Sequence, residues 1–282
     1  MGKFSTTLEK GEHQARNTEN LDDNWLEPEK VEAIEQKDST FPPESTVDAP
    51  SKPWNARLFK ATNKDISLPE IFKVLRTRIL YPQQTKQPIK TVMITSAVPS
   101  EGKSFVTANL GISLAQGMDQ HSLLIDCDLR RPSLAGLLGI SNTSGLVDYL
   151  RDDTPLSTVI QKTSINKLSV LPSGRPPLNP AELLSSAKMK SLEDELSQRY
   201  DDRIIIFDTP PIMVAAESSV LAGLVDAVIL VVREGMSKKA DIQKAIDTIG
   251  KKKILGMVYN DQKSNIFDKS YSKKYSYYQH DE

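Results

Sequence analysis

The segment AVPSEGKS, from Ala97 to Ser104, has the residue types and spacing of a loop that binds phosphate. In such a loop the backbone N–H groups wrap around phosphate oxygens at the positive end of the helix that follows. Gly102 lets the backbone approach closely, Lys103 supplies a point charge to the β- and γ-phosphates, and Ser104 offers its hydroxyl to Mg2+. Ala97 stands where the motif ordinarily begins with glycine. Ala97, Pro99, Ser100, Glu101 and Phe105 complete the stretch expected to touch a nucleotide. A glycine-containing turn without a ligand would share the short pattern. Its place after a strand-like run and before a helical one favours phosphate.

Two more apolar runs end in acids. LLIDCDLRRP carries Asp126 and Asp128, and IIIFDTPP carries Asp208. A lone acid at a strand end is ordinarily a turn or cap residue. Three of them at the carboxyl ends of strands beside a phosphate loop point instead to Mg2+, which takes oxygen ligands next to a nucleotide. Asp208 is expected to order the Mg2+ shell through water. Asp126 and Asp128 are expected nearer the γ-phosphate, one as metal ligand or as base. The candidate catalytic set is therefore Lys103, Asp126, Asp128 and Asp208, with Ser104, Asp126 and Asp208 as candidate Mg2+ residues. Arg130 and Arg131 either reach phosphate or lie plainly on the surface. Cys127, flanked by two acids that discourage its thiolate, reads as a small filler. His13, His121 and His280 have no metal-ligand spacing.

These residues need a scaffold that brings strand ends together. Apolar runs of strand length occur at 91–96, 122–126, 167–171, 203–208, 227–232 and 254–259, alternating with helical patterns at about 103–116, 180–199, 215–224 and 238–250. Runs such as IIIF and AVILVV are apolar throughout, as expected when helices cover both faces of a parallel sheet. The pattern predicts an open α/β fold with ligands at the carboxyl ends of its strands. Upstream, SLPEIFKVLRTRILY places Ile71, Val74, Leu75 and Ile79 on one helical stripe, with Ser67 as N-cap. The cations of 251–253 suit the negative end of the helix before them.

The 282 residues allow one large domain or two modest ones, and 36 bases against 37 acids leave a net charge of -1. That balance disfavours a nucleic-acid coat. A single cysteine excludes a disulfide scaffold. Neither a membrane-spanning run nor the apolar middle of a signal peptide is present, so the chain reads as soluble and cytoplasmic. Residues 1–60 hold twelve acids, eight bases and almost no apolar run. The expected division is a disordered polar arm at 1–66, serving as tether or as docking arm through Trp25 or Trp54, a nucleotide-binding domain at 67–262, and a flexible tail at 263–282. Half of the eight tyrosines, Tyr271, Tyr275, Tyr277 and Tyr278, fall in the last twelve residues, with no apolar periodicity to pack against.

A phosphate loop, then hydrophobics–D-x-D-L-R, then hydrophobics–D-T-P-P, then a tyrosine cluster resembles the bacterial tyrosine kinases of polysaccharide export, in their stand-alone cytoplasmic form. RPSLAGLLG, LPSGRPPLNPAELL and LGMVYN fall where that family has similar segments. The resemblance covers roughly residues 67–282 and implies a P-loop NTPase-type α/β domain that uses ATP and Mg2+. It implies that the tail tyrosines are phosphorylated between protomers and that Asn260 lies near the adenine. It further implies a membrane-embedded polysaccharide chain-length regulator as activator, a cognate tyrosine phosphatase, no nucleic-acid partner, and residence at the inner face of the plasma membrane through that regulator. The family's protomer-joining motif E-x-x-R-x-x-R appears as Glu70, Lys73 and Arg76, and lysine keeps the charge but loses the bidentate fork on which a ring would draw. The family's aspartate after DTPP is replaced by Glu217.

Two rival readings share the fold. Partitioning and septum-positioning ATPases carry an additional lysine at the start of the loop, where this chain has Ser96, Ala97 and Val98. A nucleotide-dependent regulator that transfers no phosphate would not need the intact Lys103, Asp126, Asp128 and Asp208.

Overall fold

The computed structural model describes Asn55, Leu58 and residues 68–83, 87–199 and 202–261. The expectations for the N-terminal arm with Trp25 and Trp54, for Ser67 as a cap and for the four tail tyrosines lie outside these described residues.

Among them, seven strands form one sheet: β1 (Thr91–Ser96), β2 (His121–Asp126), β3 (Gln161–Lys162), β4 (Leu168–Leu171), β5 (Arg203–Asp208), β6 (Ala227–Arg233) and β7 (Ile254–Asn260). Their order is β3-β4-β2-β5-β1-β6-β7, and every neighbouring pair is parallel except β3 with β4. Side chains alternate between two cores, as the two-residue period of a strand requires. Val92, Ile94, Ile204 and Ile206 enter the layer under α1 (Leu68–Leu80) and α2 (Lys103–Ala115). Met93, Ile205, Phe207 and Leu230 enter the opposite layer, under the helices of 146–249. Both faces are therefore covered, which is why the central strands read as unbroken apolar runs.

Crossing from β1 through α2 leads to β2, two places away, because β5 later inserts between them. The strand ends carrying Ser96, Asp208 and Asp126 thus lie side by side, and Asp126 and Asp208 are paired in register on neighbouring strands. A crevice at such a reversal is where open α/β sheets take their ligands.

Two expectations need correction. The helix expected at 180–199 is two, Pro180–Leu184 and Ala187–Arg199. Ser185 Oγ donates to the Ala181 carbonyl at 2.7 Å and Ser186 Oγ to that of Leu183 at 2.7 Å, so the serine pair diverts the helical ladder. The buried stripe of α1 is Phe72, Leu75 and Ile79, while Ile71 and Val74 are 56% and 50% exposed. Phe72 takes their place in the buried layer beside Leu75 and Ile79. The cations of 251–253 follow the helix Lys239–Ile249 as expected, and Lys253 also closes a second one: its Nζ donates to the carbonyls of Gly223 and Val225, at 2.9 and 2.6 Å, at the end of the helix Ala216–Leu224. The stretch between β2 and β4 contains the short helices Leu134–Leu138, Leu146–Asp152 and Leu156–Val159 and the edge strand β3.

The far end of the sheet is pinned by Asp226, whose Oδ2 accepts Lys90 N–H, Thr91 N–H and the Thr91 hydroxyl at 2.9, 2.9 and 3.0 Å. Asp226→Ala should cost about 1–3 kcal/mol by leaving these donors unmade. Thermal unfolding should then fall by roughly 2–4 °C per kcal/mol, with nucleotide affinity unchanged at the opposite strand ends.

Candidate functional site

The phosphate loop joins β1 to α2 with Gly102 as the N-cap, at φ 93. A side chain on Gly102 would displace Asn260, since an ideal Cβ would lie 2.1 Å from Asn260 Nδ2. The loop is stitched from inside by Ser96, whose Oγ donates to the Val98 carbonyl at 2.7 Å, and by the buried Glu101 carboxylate, which accepts Val98 N–H at 3.1 Å. Thirteen residues of α2 follow, and their aligned peptide dipoles present a positive end to the loop.

A cavity of about 870 Å³ opens on this helix end, and Pro99, Ser100, Gly102, Lys103, Ser104, Phe105, Asp128 and Asn260 line it. Ala97, Glu101, Asp126 and Asp208 do not. Ala97 is buried under the loop, and the Glu101 side chain points inward, so neither touches a nucleotide through its side chain.

The three acids are brought together, but they occupy different environments. Asp126 is wholly buried, and its carboxylate accepts the N–H groups of Asp128, Ser133 and Leu134 at 3.2, 3.0 and 3.1 Å. It shapes the loop from 127 to 134 rather than facing the cavity. Burial, with Asp208 opposite, pushes its pKa well above the usual carboxylate range. Asp128 reaches the cavity, and its pKa is raised by burial against the opposing pull of Lys103 and of the Arg131 N–H and guanidinium. A carboxyl raised in this way is a stronger proton acceptor than an ordinary aspartate. Asp208 lies behind the loop with its pKa pushed up to about 7, mainly by burial, with the Ser104 hydroxyl and Lys103 opposing. Its Oδ1 accepts from Thr107 Oγ1 at 3.4 Å, whereas Oδ2, though buried, makes no bond of hydrogen-bond geometry, the nearby Ser104 hydroxyl included. An orphaned carboxylate oxygen beside a serine hydroxyl and a phosphate loop fits a hydrated Mg2+. The described residues hold no cluster of three His, Cys, Asp or Glu able to take an ion unaided. Mg2+ here would draw its remaining ligands from water and phosphate, its usual habit.

Cys127 is buried, and burial followed by Asp126, Asp208 and Asp128 pushes its thiol pKa well up, in keeping with a filler role. Arg130 and Arg131 both line the cavity, and Arg130 Nε is held by the buried Glu217 at 3.2 Å. Glu217 therefore acts by orienting a cation over the cavity. Sequence reasoning missed Arg233, Asp261 and the walls made by Leu137, Pro210, Pro211 and Val214. Pro210 and Pro211 had a signal in the DTPP motif, and Leu137 in RPSLAGLLG. The two prolines are fastened to β1 by Thr95 Oγ1 donating to the Pro210 carbonyl at 2.9 Å.

The expected protomer-joining trio is divided. Glu70 and Lys73 pair within the helix at 3.2 Å, and Arg76 Nη1 donates to the Ser113 carbonyl at 2.6 Å, inside the same protomer. Glu70 and Lys73 share the outward face of α1 with the exposed Ile71 and Val74.

No protein-family model matches the sequence. The tyrosine-protein kinase YwqD of Bacillus subtilis is 40% identical over 196 residues, which span 69% of this chain and 81% of that protein. The putative tyrosine-protein kinase CapB of Staphylococcus aureus is 33% identical over 196 residues, 69% of this chain and 84% of CapB. Among solved structures, the chimerical protein CapA2B2 superposes with a TM-score of 0.67 at 29% identity, covering 74% of this chain and 92% of that one. The kinase domain of Escherichia coli tyrosine kinase ETK gives 0.63 at 31% identity, covering 71% and 79%. The septum site-determining protein MinD of Pyrococcus horikoshii, complexed with Mg-ADP, shares the fold at a TM-score of 0.51 and 24% identity, covering 60% and 68%.

Proposed function

The chain belongs to the bacterial tyrosine-protein kinases, and from that premise we propose that it is an ATP-dependent autokinase serving capsule or exopolysaccharide synthesis and export. It transfers the γ-phosphoryl group of ATP to Tyr271, Tyr275, Tyr277 and Tyr278 of a neighbouring copy. What supports this reading is one cavity where Lys103, Ser104 and Asp128 meet and whose rim includes Asp261, from which the chain runs on to the tyrosines.

Phosphoryl transfer asks a protein mainly to position the reactants and neutralise charge. Lys103 and the loop amides hold the β- and γ-phosphates at the end of α2, with Arg130 and Arg131 adding positive charge on the facing wall. Ser104, with Asp208 behind it, would hold Mg2+, which would supply charge neutralisation on the phosphate oxygens. Asn260 stands on the side of the base. The tyrosine hydroxyl attacks the γ-phosphorus, the bond to the bridging oxygen breaks, and ADP leaves. Asp128 takes the phenolic proton, since free tyrosine, with a pKa of about 10, carries it at neutral pH. Asp126 acts by fixing the loop that carries Asp128 and the two arginines.

The activator is a membrane polysaccharide chain-length regulator, which brings the kinase to the inner face of the plasma membrane, and a tyrosine phosphatase opposes it. Among the described residues no helix is long and apolar enough to cross a membrane. Copies meet as a homo-oligomer, in which Ile71 and Val74 of α1 offer apolar contact in addition to Glu70 and Lys73.

Incubation with Mg-ATP followed by phosphosite mapping tests the reading, with and without a candidate regulator's cytoplasmic segment. Phosphate is expected on the tail tyrosines and should be absent, by at least about 100-fold, in Lys103→Met, where the point charge on the phosphates is gone. ATP hydrolysis with unmodified tyrosines under both conditions would replace the kinase with an ATPase switch.

A further inference from the structure

Glu101 is a charged residue with no exposed surface in the middle of the phosphate loop. A carboxylate is tolerated there only if donors surround it. Oε2 accepts Val98 N–H within the loop, while Oε1 accepts Arg233 N–H at 3.2 Å, from the last residue of β6, and the Ser237 hydroxyl at 2.6 Å, just beyond that strand. The loop is thus fastened to the neighbouring strand rather than only to its own helix.

Arg233 extends the connection. Its Nη1 donates to the Ser100 carbonyl at 3.3 Å, and its Nε and Nη2 both donate to Asp261 Oδ2, at 2.9 and 2.6 Å. The adjacent Asn260 donates from Nδ2 to the Glu101 carbonyl at 2.8 Å. One guanidinium therefore holds the phosphate loop with one nitrogen and the start of the C-terminal segment with two others. Both residues it grips have left-handed backbone, Ser100 at φ 67 and Asp261 at φ 52, a conformation that non-glycine residues adopt at a cost and keep only when their surroundings hold them. An exposed Arg–Asp pair contributes little in water by itself. Here it is one link in a chain that begins at a buried carboxylate.

We propose that Glu101, Arg233 and Asp261 are positioning residues that couple the phosphate loop to the point where the tyrosine-bearing segment leaves the domain. Nucleotide in the loop holds the root of that segment at the cavity rim, and loss of nucleotide loosens it. Coupling of this kind is reciprocal, so freeing the root must weaken the nucleotide. The inference deepens the kinase reading and relies on it only for the class of nucleotide.

The test uses the full chain and Mg-ADP. In the wild type, Mg-ADP should slow amide hydrogen exchange from Asp261 onward. Asp261→Ala should abolish that slowing and weaken Mg-ADP by about 5-fold, the low end of ordinary coupling. Arg233→Lys, which keeps the charge but loses the fork, should behave like Asp261→Ala, whereas Asp261→Glu should stay within about 2-fold of wild type. Asp261 is a surface residue, so these changes spare the core. An Asp261→Ala protein with wild-type affinity and wild-type slowing would overturn the proposal, and so would equal impairment of Asp261→Ala and Asp261→Glu. Neither readout involves phosphotyrosine, so a wild type that forms none would sink the kinase reading and leave the coupling to be judged on its own result.

Discussion

Gly102→Ala should weaken Mg-nucleotide binding on the order of 100-fold, measured by titration with a fluorescent ADP analogue. Two effects add. Gly102 has φ 93, a region that costs an L-residue roughly 1–3 kcal/mol. The new Cβ would also lie 2.1 Å from Asn260 Nδ2 and 3.3 Å from its Cγ, so the amide must swing away and give up its bond to the Glu101 carbonyl. That bond is worth about 1 kcal/mol. Together these reach about 2–4 kcal/mol. The free variant escapes them by relaxing its loop, and nucleotide must restore the strained geometry. The cost therefore falls on affinity, at about 1.4 kcal/mol per factor of ten. The two parts separate in a double variant. Adding Asn260→Ala to Gly102→Ala removes the collision but keeps the backbone strain, so the pair should bind better than the sum of the single losses allows. Strict additivity would mean that the collision is relieved some other way.

Asp208→Asn should move activity and stability in opposite directions. Behind Ser104, the carboxylate is placed to orient the Mg2+ shell, and loss of such a group typically costs about 10–100-fold in metal affinity or activity. Stability follows from protons. The unfolded carboxyl titrates near 3.8 and the folded one near 7. Between those values the folded protein holds a proton that the unfolded chain has released, so unfolding releases protons and stability falls as pH rises. The favourable contribution is complete below the unfolded value and gone above about 7, a swing of a few kcal/mol. The nucleotide-free wild type should therefore melt several degrees lower at pH 8 than at pH 5, and Asp208→Asn should flatten much of that dependence. Mg-ADP needs the ionised carboxylate, so its affinity should rise with pH and level off above about 7. A wild type whose melting temperature is level across this range would refute the assignment of a raised pKa to Asp208.

The two predictions start from residues that were visible in the chain, but their reasons were not. Gly102 and Asp208 stand in motifs with recognisable spacing. The collision with Asn260 depends on β7 ending beside the loop, and the orphaned oxygen of Asp208 depends on what Ser104 and Thr107 leave unmade. Asp126 and Asp128 illustrate the same limit. Two residues apart at the end of β2, both read as facing the γ-phosphate. Three backbone N–H groups, two of them from Ser133 and Leu134, turn Asp126 inward and leave Asp128 to the cavity.

What the chain's local pattern determined by itself is the set of elements and the chemistry at their ends. Strand-length apolar runs, a glycine–lysine–serine turn and acids at run ends are written within a few residues of one another, so β1 and β5 match their expected bounds, and the loop opens α2. Tertiary structure decided which of those ends meet. In a parallel sheet each strand is joined to its neighbours through crossovers, so the insertion of β5 between β2 and β1, which sets Asp208 beside Asp126, is a matter of packing on both faces. The same holds for Arg76, drawn to the Ser113 carbonyl by the contact of α1 with α2, and for Arg233 and Asp261, two ordinary surface charges 28 positions apart that become partners only because β6 and β7 lie side by side. Short-range backbone preference and burial are legible in a sequence because they act between residues close along the chain. Hydrogen bonds and ion pairs between distant segments are not, because their partners are chosen by the fold.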